Sequence, residues 1–156
     1  KFKYKTIIPC NMYGKYDKFN NDESHLIPAI IHKIHNAKLN KINKVEIWGK
    51  GLVRREFMYA GDFADALYNA IIKFQSLPSI MNIGLGEDYN IKQYYIKVAK
   101  VMGYKGGFVY NKSKPEGVKR KLISNLKQKK WGWNHKTDLQ SGIKQTYQYF
   151  INENNK

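Results

Sequence analysis

The sequence predicts an α/β fold, and three observations carry that prediction. Short apolar runs of strand length alternate with longer segments whose apolar residues recur at helical spacing. Gly, Pro, Asn and Asp punctuate the junctions between them. A chain of 156 residues, 42% hydrophobic and 14% aromatic, is also long enough for one domain with a substantial core.

The elements follow in order. Residues 4–11, with Thr6, Ile7 and Ile8 at their centre, read as a buried strand that breaks at Pro9-Cys10-Asn11-Met12-Tyr13-Gly14. In open α/β sheets the loops at strand C-termini carry ligands, so Asn11 and Tyr13 are candidates as well as ordinary turn residues. Residues 15–23 are polar and loop-like. Ser24 is then placed to cap a helix that aligns Leu26, Ile27, Ile30, Ile31 and Ile34 on one face. Pro28 falls in its first turn, where the missing N–H does little harm. His25 stands at the mouth of that helix, a natural place for anions and proton transfer. His32 and His35 lie further along with no Cys or carboxylate at ligand spacing, so no metal site is expected.

Val45, Glu46 and Ile47 lead into Trp48-Gly49-Lys50-Gly51, the stretch around which the chain is organised. Only three of the 28 Lys and Arg residues are arginines, and two of them, Arg54 and Arg55, follow this turn. An arginine fork suits bidentate contact with phosphate, and a tryptophan face suits stacking on a base. The stretch therefore reads as a site for a phosphorylated, base-bearing ligand. Phe57, Met58 and Tyr59 form a second strand. Asp62 reads as the cap of a helix whose Phe63, Ala66, Leu67, Ala70, Ile71 and Phe74 make a core-facing stripe ending at Leu77-Pro78.

Ile80–Ile83 is the next strand, and a helix is expected over Ile91–Met102. Asn90 and Gln93 form its capping box, and Gly103 closes it. Between them, Gly84-Leu85-Gly86 imitates a dinucleotide fingerprint. It lacks the third glycine and adjoins Glu87-Asp88, which would repel a pyrophosphate. Phe108-Val109-Tyr110 is a short strand and Ser113-Lys114-Pro115-Glu116-Gly117 a turn. The cluster Lys119-Arg120-Lys121 is either a solvated face or a phosphate contact. Residues 125–132 read as a short helix with Trp131 and Trp133 packed at its end. Thr137 and Gln140 form a capping box for a last helix with Leu139, Ile143, Tyr147 and Phe150 inward.

The net charge of +16 admits nucleic acid or other polyanions as partners. The lysines, however, are spread along the whole chain, with no helix-turn-helix, zinc-finger or aromatic RNA-binding signature beside them. No apolar run approaches the roughly 20 residues a membrane span requires. A single cysteine, Cys10, excludes an internal disulfide and points to a reducing cytoplasm, with the thiol buried and inert. No signal peptide is visible. The chain starts at a lysine, directly in a strand, and is expected to be a piece of a longer protein.

Taken together, several motifs resemble the GDP-L-fucose synthase family of the extended short-chain dehydrogenase/reductase superfamily. They are Pro9-Cys10-Asn11-Met12-Tyr13-Gly14, Asp22-Glu23-Ser24-His25-Leu26-Ile27-Pro28-Ala29, Trp48-Gly49-Lys50-Gly51, Arg55-Glu56-Phe57, Ser113-Lys114-Pro115-Glu116-Gly117 and Arg120-Lys121-Leu122. The resemblance spans nearly the whole chain and matches the family's C-terminal half. It implies that residues 1–14 end a Rossmann sheet, with one strand at about 4–11, and that residues 22–156 form a small α/β substrate lobe. It also implies an NADP(H)-dependent 3,5-epimerase/4-reductase acting on a GDP-4-keto-6-deoxy sugar, for nucleotide-sugar biosynthesis feeding surface polysaccharide.

On the same grounds His25 is the catalytic acid or base. Pro9, Cys10, Asn11, Met12 and His25 would face the nicotinamide end of the cofactor. Lys33, Trp48, Arg55, Glu116 and Lys121 would hold the GDP-sugar, with Lys33 where relatives carry arginine and Glu116 where aspartate is usual. A cysteine partner for His25, the glycine-rich cofactor loop and the reductase Tyr-x-x-x-Lys pair are expected upstream of residue 1. The piece alone is accordingly expected to be inactive as a reductase, and the full-length enzyme to be a homodimer. The alternatives are a relative acting on another GDP-4-keto-6-deoxy sugar such as a heptose, a basic nucleic-acid-binding module, or a catalytically silent interaction domain.

Overall fold

The computed structural model describes residues 3–20 and 24–154; Lys1, Phe2 and the Asp22-Glu23 part of one motif lie outside the described residues. The chain begins with strands β1 (Thr6–Pro9) and β2 (Asn11–Tyr13), then helix α1 (Leu26–Leu39) and strand β3 (Lys44–Trp48). Next come β4 (Arg54–Arg55), β5 (Phe57–Tyr59), α2 (Ala60–Ile72), β6 (Ile80–Ile83) and β7 (Tyr89–Asn90). It closes with α3 (Ile91–Met102), β8 (Gly107–Asn111), β9 (Arg120–Lys121), α4 (Leu126–Trp131) and α5 (Leu139–Asn154). The α/β alternation is as expected.

Parallel pairing dominates. β1 pairs with β6, β2 with β5 and β3 with β8, all in parallel. β4 lies between an antiparallel β7 and a parallel β9. The single strand expected over 4–11 is in fact two, belonging to different pairs. Pro9 has no N–H to continue the ladder. Cys10 donates its own to Ile83 O at 2.9 Å, and from Asn11 onward the partner is β5. The chain also returns to β1 from far downstream, through β6.

Two apolar clusters result. The larger gathers Ile27, Ile30, Ile31 and Ile34 of α1, Tyr94, Tyr95 and Val98 of α3, Ile143 and Phe150 of α5, and Val45 and Ile47 of β3. The second lies between α2 and the β1–β6 pair and contains Cys10, Met58, Ala66, Ala70, Met81, Ile83 and Trp133. The stripe expected on α2 divides here. Ala66 and Ala70 are buried and Phe63 packs against them, but Leu67, Tyr68, Ile71 and Ile72 are exposed.

Helix ends show where local signals prevail. α3 has the expected capping box, with Gln93 N–H donating to Asn90 Oδ1 and Asn90 N–H to Gln93 Oε1, and Gly103 closes the helix. The other three expected caps are corrected. α1 is entered through His25 rather than Ser24, with no side-chain cap bond. A cap would reach the N–H two or three residues into the helix, and Pro28 at the third position has none. Asp62 lies inside the first turn of α2, buried, and accepts from Thr137 N–H and Oγ1 at 3.0 Å each. With Thr137 so engaged, Asp138 caps α5, accepting from Ser141 N–H at 2.9 Å and Ser141 Oγ at 2.7 Å.

Candidate functional site

The start of β2, the N-terminal turns of α1, the turn after β3 and the 113–117 turn converge on one cleft of about 330 Å³. Among its walls are Asn11, His25, Lys33, Trp48, Arg55 and Glu116, all expected on the sequence, joined by Tyr95, Phe57 and Ile91.

The Trp-Gly-Lys-Gly turn builds one wall. Gly49 and Gly51 have φ of 70° and 72°, a region glycine enters without steric cost. A Cβ on Gly49 would meet the Glu116 side chain, which would have to shift to admit it. The Lys50 N–H donates to Glu116 Oε1 and pins the carboxylate beneath the turn. Trp48 is 48% exposed, and Lys33 Nζ and Lys114 Nζ lie 4.9 and 5.0 Å from its ring centroid. The ring is thus shared by two cations before any base approaches. Burial pulls the Lys33 pKa down; Glu46 opposes this and the Lys114 charge adds to it.

Arg55 lines the cleft, with Nη1 donating to Arg54 O and Val118 O at 2.8 Å each and Nη2 to Glu116 O at 3.5 Å. Its backbone carbonyl accepts from Tyr94 OH at 2.9 Å. Side chains alternate along a strand, so Arg54 points the other way. Arg54 Nε and Nη2 donate to Asp88 Oδ1 at 3.0 and 2.7 Å, and Arg120 Nε donates to Asp88 Oδ2 at 2.6 Å. Asp88 is buried, its side chain 2% exposed, and the Arg120 and Arg54 hydrogen bonds hold its pKa at about 2. The phosphate reading of Arg120 is corrected accordingly, since its guanidinium is committed to a protein carboxylate. The clamp has a further consequence. It locks β4 to β9 in a register that sets Arg55 opposite Lys121.

Glu56, 1% exposed, is a second buried carboxylate with a positional role. It accepts from Leu85 and Gly86 N–H at 2.6 and 2.8 Å and from Ile123 N–H at 3.1 Å. Gly84 N–H donates to Gln128 Oε1 at 2.8 Å. The amides of the Gly84-Leu85-Gly86 turn are thereby occupied by side chains.

The remaining expected residues fall as follows. Lys121 Nζ lies 3.4 Å from Asn11 Oδ1, while Asn11 Nδ2 donates to Glu56 O at 2.9 Å. Pro9, Cys10 and Met12 form the switch between β1 and β2 and are not among the cleft-lining residues. Burial, and then the Glu56 charge, push the Cys10 thiol up to about 12, so the thiolate is scarce at neutral pH. His25 is 70% exposed, its Nδ1 3.3 Å from Asp17 Oδ1. His32 and His35 pack toward α5, His35 Nδ1 lying 3.2 Å from Tyr147 OH. The sequence reading gave no role to Asp17 or Lys114, and Asp88 entered it only as a charge that would repel a pyrophosphate. Lys114 lies inside a quoted motif, and its charge beside an aromatic-rich site was the available signal. The bare Tyr-x-x-x-Lys spacing does occur once, at Tyr110-Asn111-Lys112-Ser113-Lys114. It runs from β8 into a turn, not along a helix, and Lys114 is directed at Trp48.

Residues 1–84 match the model of the NAD dependent epimerase/dehydratase family, and the chain belongs to that family. It is 56% identical over 155 residues to a GDP-L-colitose synthase of Yersinia pseudotuberculosis, covering 99% of this chain and 50% of that protein. It is 45% identical to a GDP-L-fucose synthase of Azorhizobium caulinodans, covering 98% of this chain and 49% of that one. Among solved structures, a GDP-mannoheptose C4 reductase from Campylobacter jejuni with NADP bound matches with a TM-score of 0.81 at 31% identity, covering 94% of this chain and 52% of that chain. The chain thus spans about half the length of the curated relatives it matches, and its α/β fold is that of extended short-chain dehydrogenase/reductase enzymes.

Proposed function

We propose that the chain is the GDP-sugar-binding part of an NADP(H)-dependent GDP-4-keto-6-deoxy-sugar epimerase/reductase. The observation that carries this is the convergence of His25, Lys33, Trp48, Arg55 and Glu116 on one cleft. Lys33 and Lys114 place two ammonium groups against one ring, and a diphosphate beside them relieves their mutual repulsion. Arg55 adds a fork able to exchange its loop carbonyls for phosphate oxygens. His25, at the rim, gives or takes a proton at a carbon next to the substrate ketone. Asn11, with its neighbours Pro9, Cys10 and Met12, borders the nicotinamide end, and NADP(H) supplies hydride when bound.

In this reading residues 3–14 continue a Rossmann sheet that β6 and α2 rejoin, and the rest of 24–154 is the substrate lobe. The exposed Ile8 and Ile80 of the β1–β6 pair support it, because parallel sheets are normally covered on both faces. The chain alone carries no helical Tyr-x-x-x-Lys pair and is inactive as a reductase.

A second reading concerns the sugar. The 56% identity to a protein named GDP-L-colitose synthase favours a 3-deoxy substrate over a fucose precursor. Colitose lacks the 3-hydroxyl of fucose, so a single inversion, at C5, would accompany reduction. The test is turnover of NADPH by the full-length protein with GDP-4-keto-6-deoxymannose and with its 3-deoxy counterpart, with product stereochemistry read by NMR. Conversion of either by the full-length protein and of neither by the 156-residue chain is expected. Turnover by the chain alone would refute the division of labour.

A further inference from the structure

Asp17 lies between β2 and α1, and its side chain is 14% exposed although its neighbours Tyr16 and Lys18 are exposed. Its Oδ1 accepts from the Lys18 N–H at 2.9 Å, which fixes the carboxylate, and stands 3.3 Å from His25 Nδ1. His25 is the entry residue of α1, with extended backbone (φ −65°, ψ 164°) and no cap bond from its side chain. The imidazole is therefore attached to the molecule through Asp17 and not through the helix end it occupies. It also forms part of the cleft wall together with Asn11, Lys33 and Trp48.

We propose that Asp17 is a positioning residue for His25, fixing the tautomer that leaves Nε2 free for proton transfer in the cleft. The proposal rests on the reading of His25 as the proton-transfer group. A neutral imidazole carries one proton, and which nitrogen holds it is set by what the other nitrogen meets. A carboxylate accepts only, so Nδ1 facing Asp17 carries the hydrogen and Nε2 keeps the lone pair. When Nε2 takes a proton, the C–H bond beside the ketone breaks and its electron pair moves to the carbonyl oxygen. The resulting imidazolium is balanced by the Asp17 charge. A loop-anchoring carboxylate with no such task would hold the loop equally well in either tautomer, and that difference can be measured.

Long-range 1H–15N NMR of the 15N-labelled chain at alkaline pH reads the tautomer directly. His25 is expected as the Nδ1–H form in the wild-type chain and in Asp17→Glu. In Asp17→Ala it should revert to the Nε2–H form that free imidazole favours in water. In the full-length protein, Asp17→Ala should slow exchange of substrate protons with D2O about 10- to 100-fold, part of the roughly 10²- to 10⁴-fold a placed acid or base contributes. KM for the GDP-sugar should stay within about twofold. A wild-type Nε2–H tautomer, or one unmoved by Asp17→Ala, overturns the proposal, as does a variant whose only defect is a raised KM. Absence of substrate-proton exchange in the wild-type enzyme would instead remove the role of His25, leaving the tautomer result to decide the Asp17–His25 coupling.

Discussion

The two apolar clusters of the molecule are covered very differently. The cluster of α1, α3, α5 and β3 is enclosed, with Ile27, Ile30, Ile31, Ile34, Ile47 and Val98 all without solvent exposure. The cluster under α2 is enclosed on one side only. Its inner residues, Met58, Ala66, Met81 and Ile83, are buried, but α2 presents Leu67, Tyr68, Ile71 and Ile72 outward, and β1 and β6 present Ile8 and Ile80. The first region is a finished core, and the second leaves an apolar face open to solvent. The cleft belongs chiefly to the finished region, and only Asn11 reaches it from the junction between β1 and β2. The walls of the cleft are therefore backed mainly by the enclosed core.

The contrast can be broken or sharpened by substitution. Glu56→Ala should have the largest effect, at least about 3 kcal/mol in urea unfolding, because three backbone N–H groups lose their shared acceptor where the two regions meet. Ile34→Ala, in the enclosed core, should cost about 2–5 kcal/mol. Asp88→Asn should cost about 1–2 kcal/mol near neutral pH and less in acid. The sign follows from the folded pKa of about 2, below the unfolded value near 3.9. Stability from the clamp is full above about pH 4 and fades as pH falls toward about 2. Thermal melts across that window should show the wild-type losing its advantage over Asp88→Asn. Ile71→Ala should change stability by no more than about 0.5 kcal/mol, since Ile71 is 73% exposed. A cost like that of Ile34→Ala would mean that the outer face of α2 is covered in solution, and the distinction between the regions would fall.

What the sequence revealed follows the same division between local and long-range causes. α3 was legible to the residue because its capping box and closing glycine lie within its own turns. The caps assigned to Ser24, Asp62 and Thr137 were not. Asp62 spends its carboxylate on Thr137, and that contact is invisible to any local window. On α2, periodicity identified an apolar face but could not say how much of it this chain covers. The site divides similarly. The Trp-Gly-Lys-Gly turn and Arg55 suggested a phosphate and base site from chemistry alone, while Lys33, Glu116 and the role of His25 needed the family resemblance. Lys114 and Asp17 escaped because their meaning lies in what they touch, Trp48 and His25. Arg54 and Arg55 looked equivalent as neighbours, and strand alternation separated them, one to Asp88 and one to the cleft.

The most direct measurement is a calorimetric titration of GDP into the 156-residue chain and into its Arg55→Ala and Ile71→Ala variants. The wild-type chain and Ile71→Ala should bind alike, and Arg55→Ala at least about tenfold more weakly, as loss of a charge-assisted contact implies. Absence of GDP binding, or binding indifferent to Arg55, would contradict the assignment. Tight oligonucleotide binding with a steep salt dependence in its place would point to nucleic acid as the ligand.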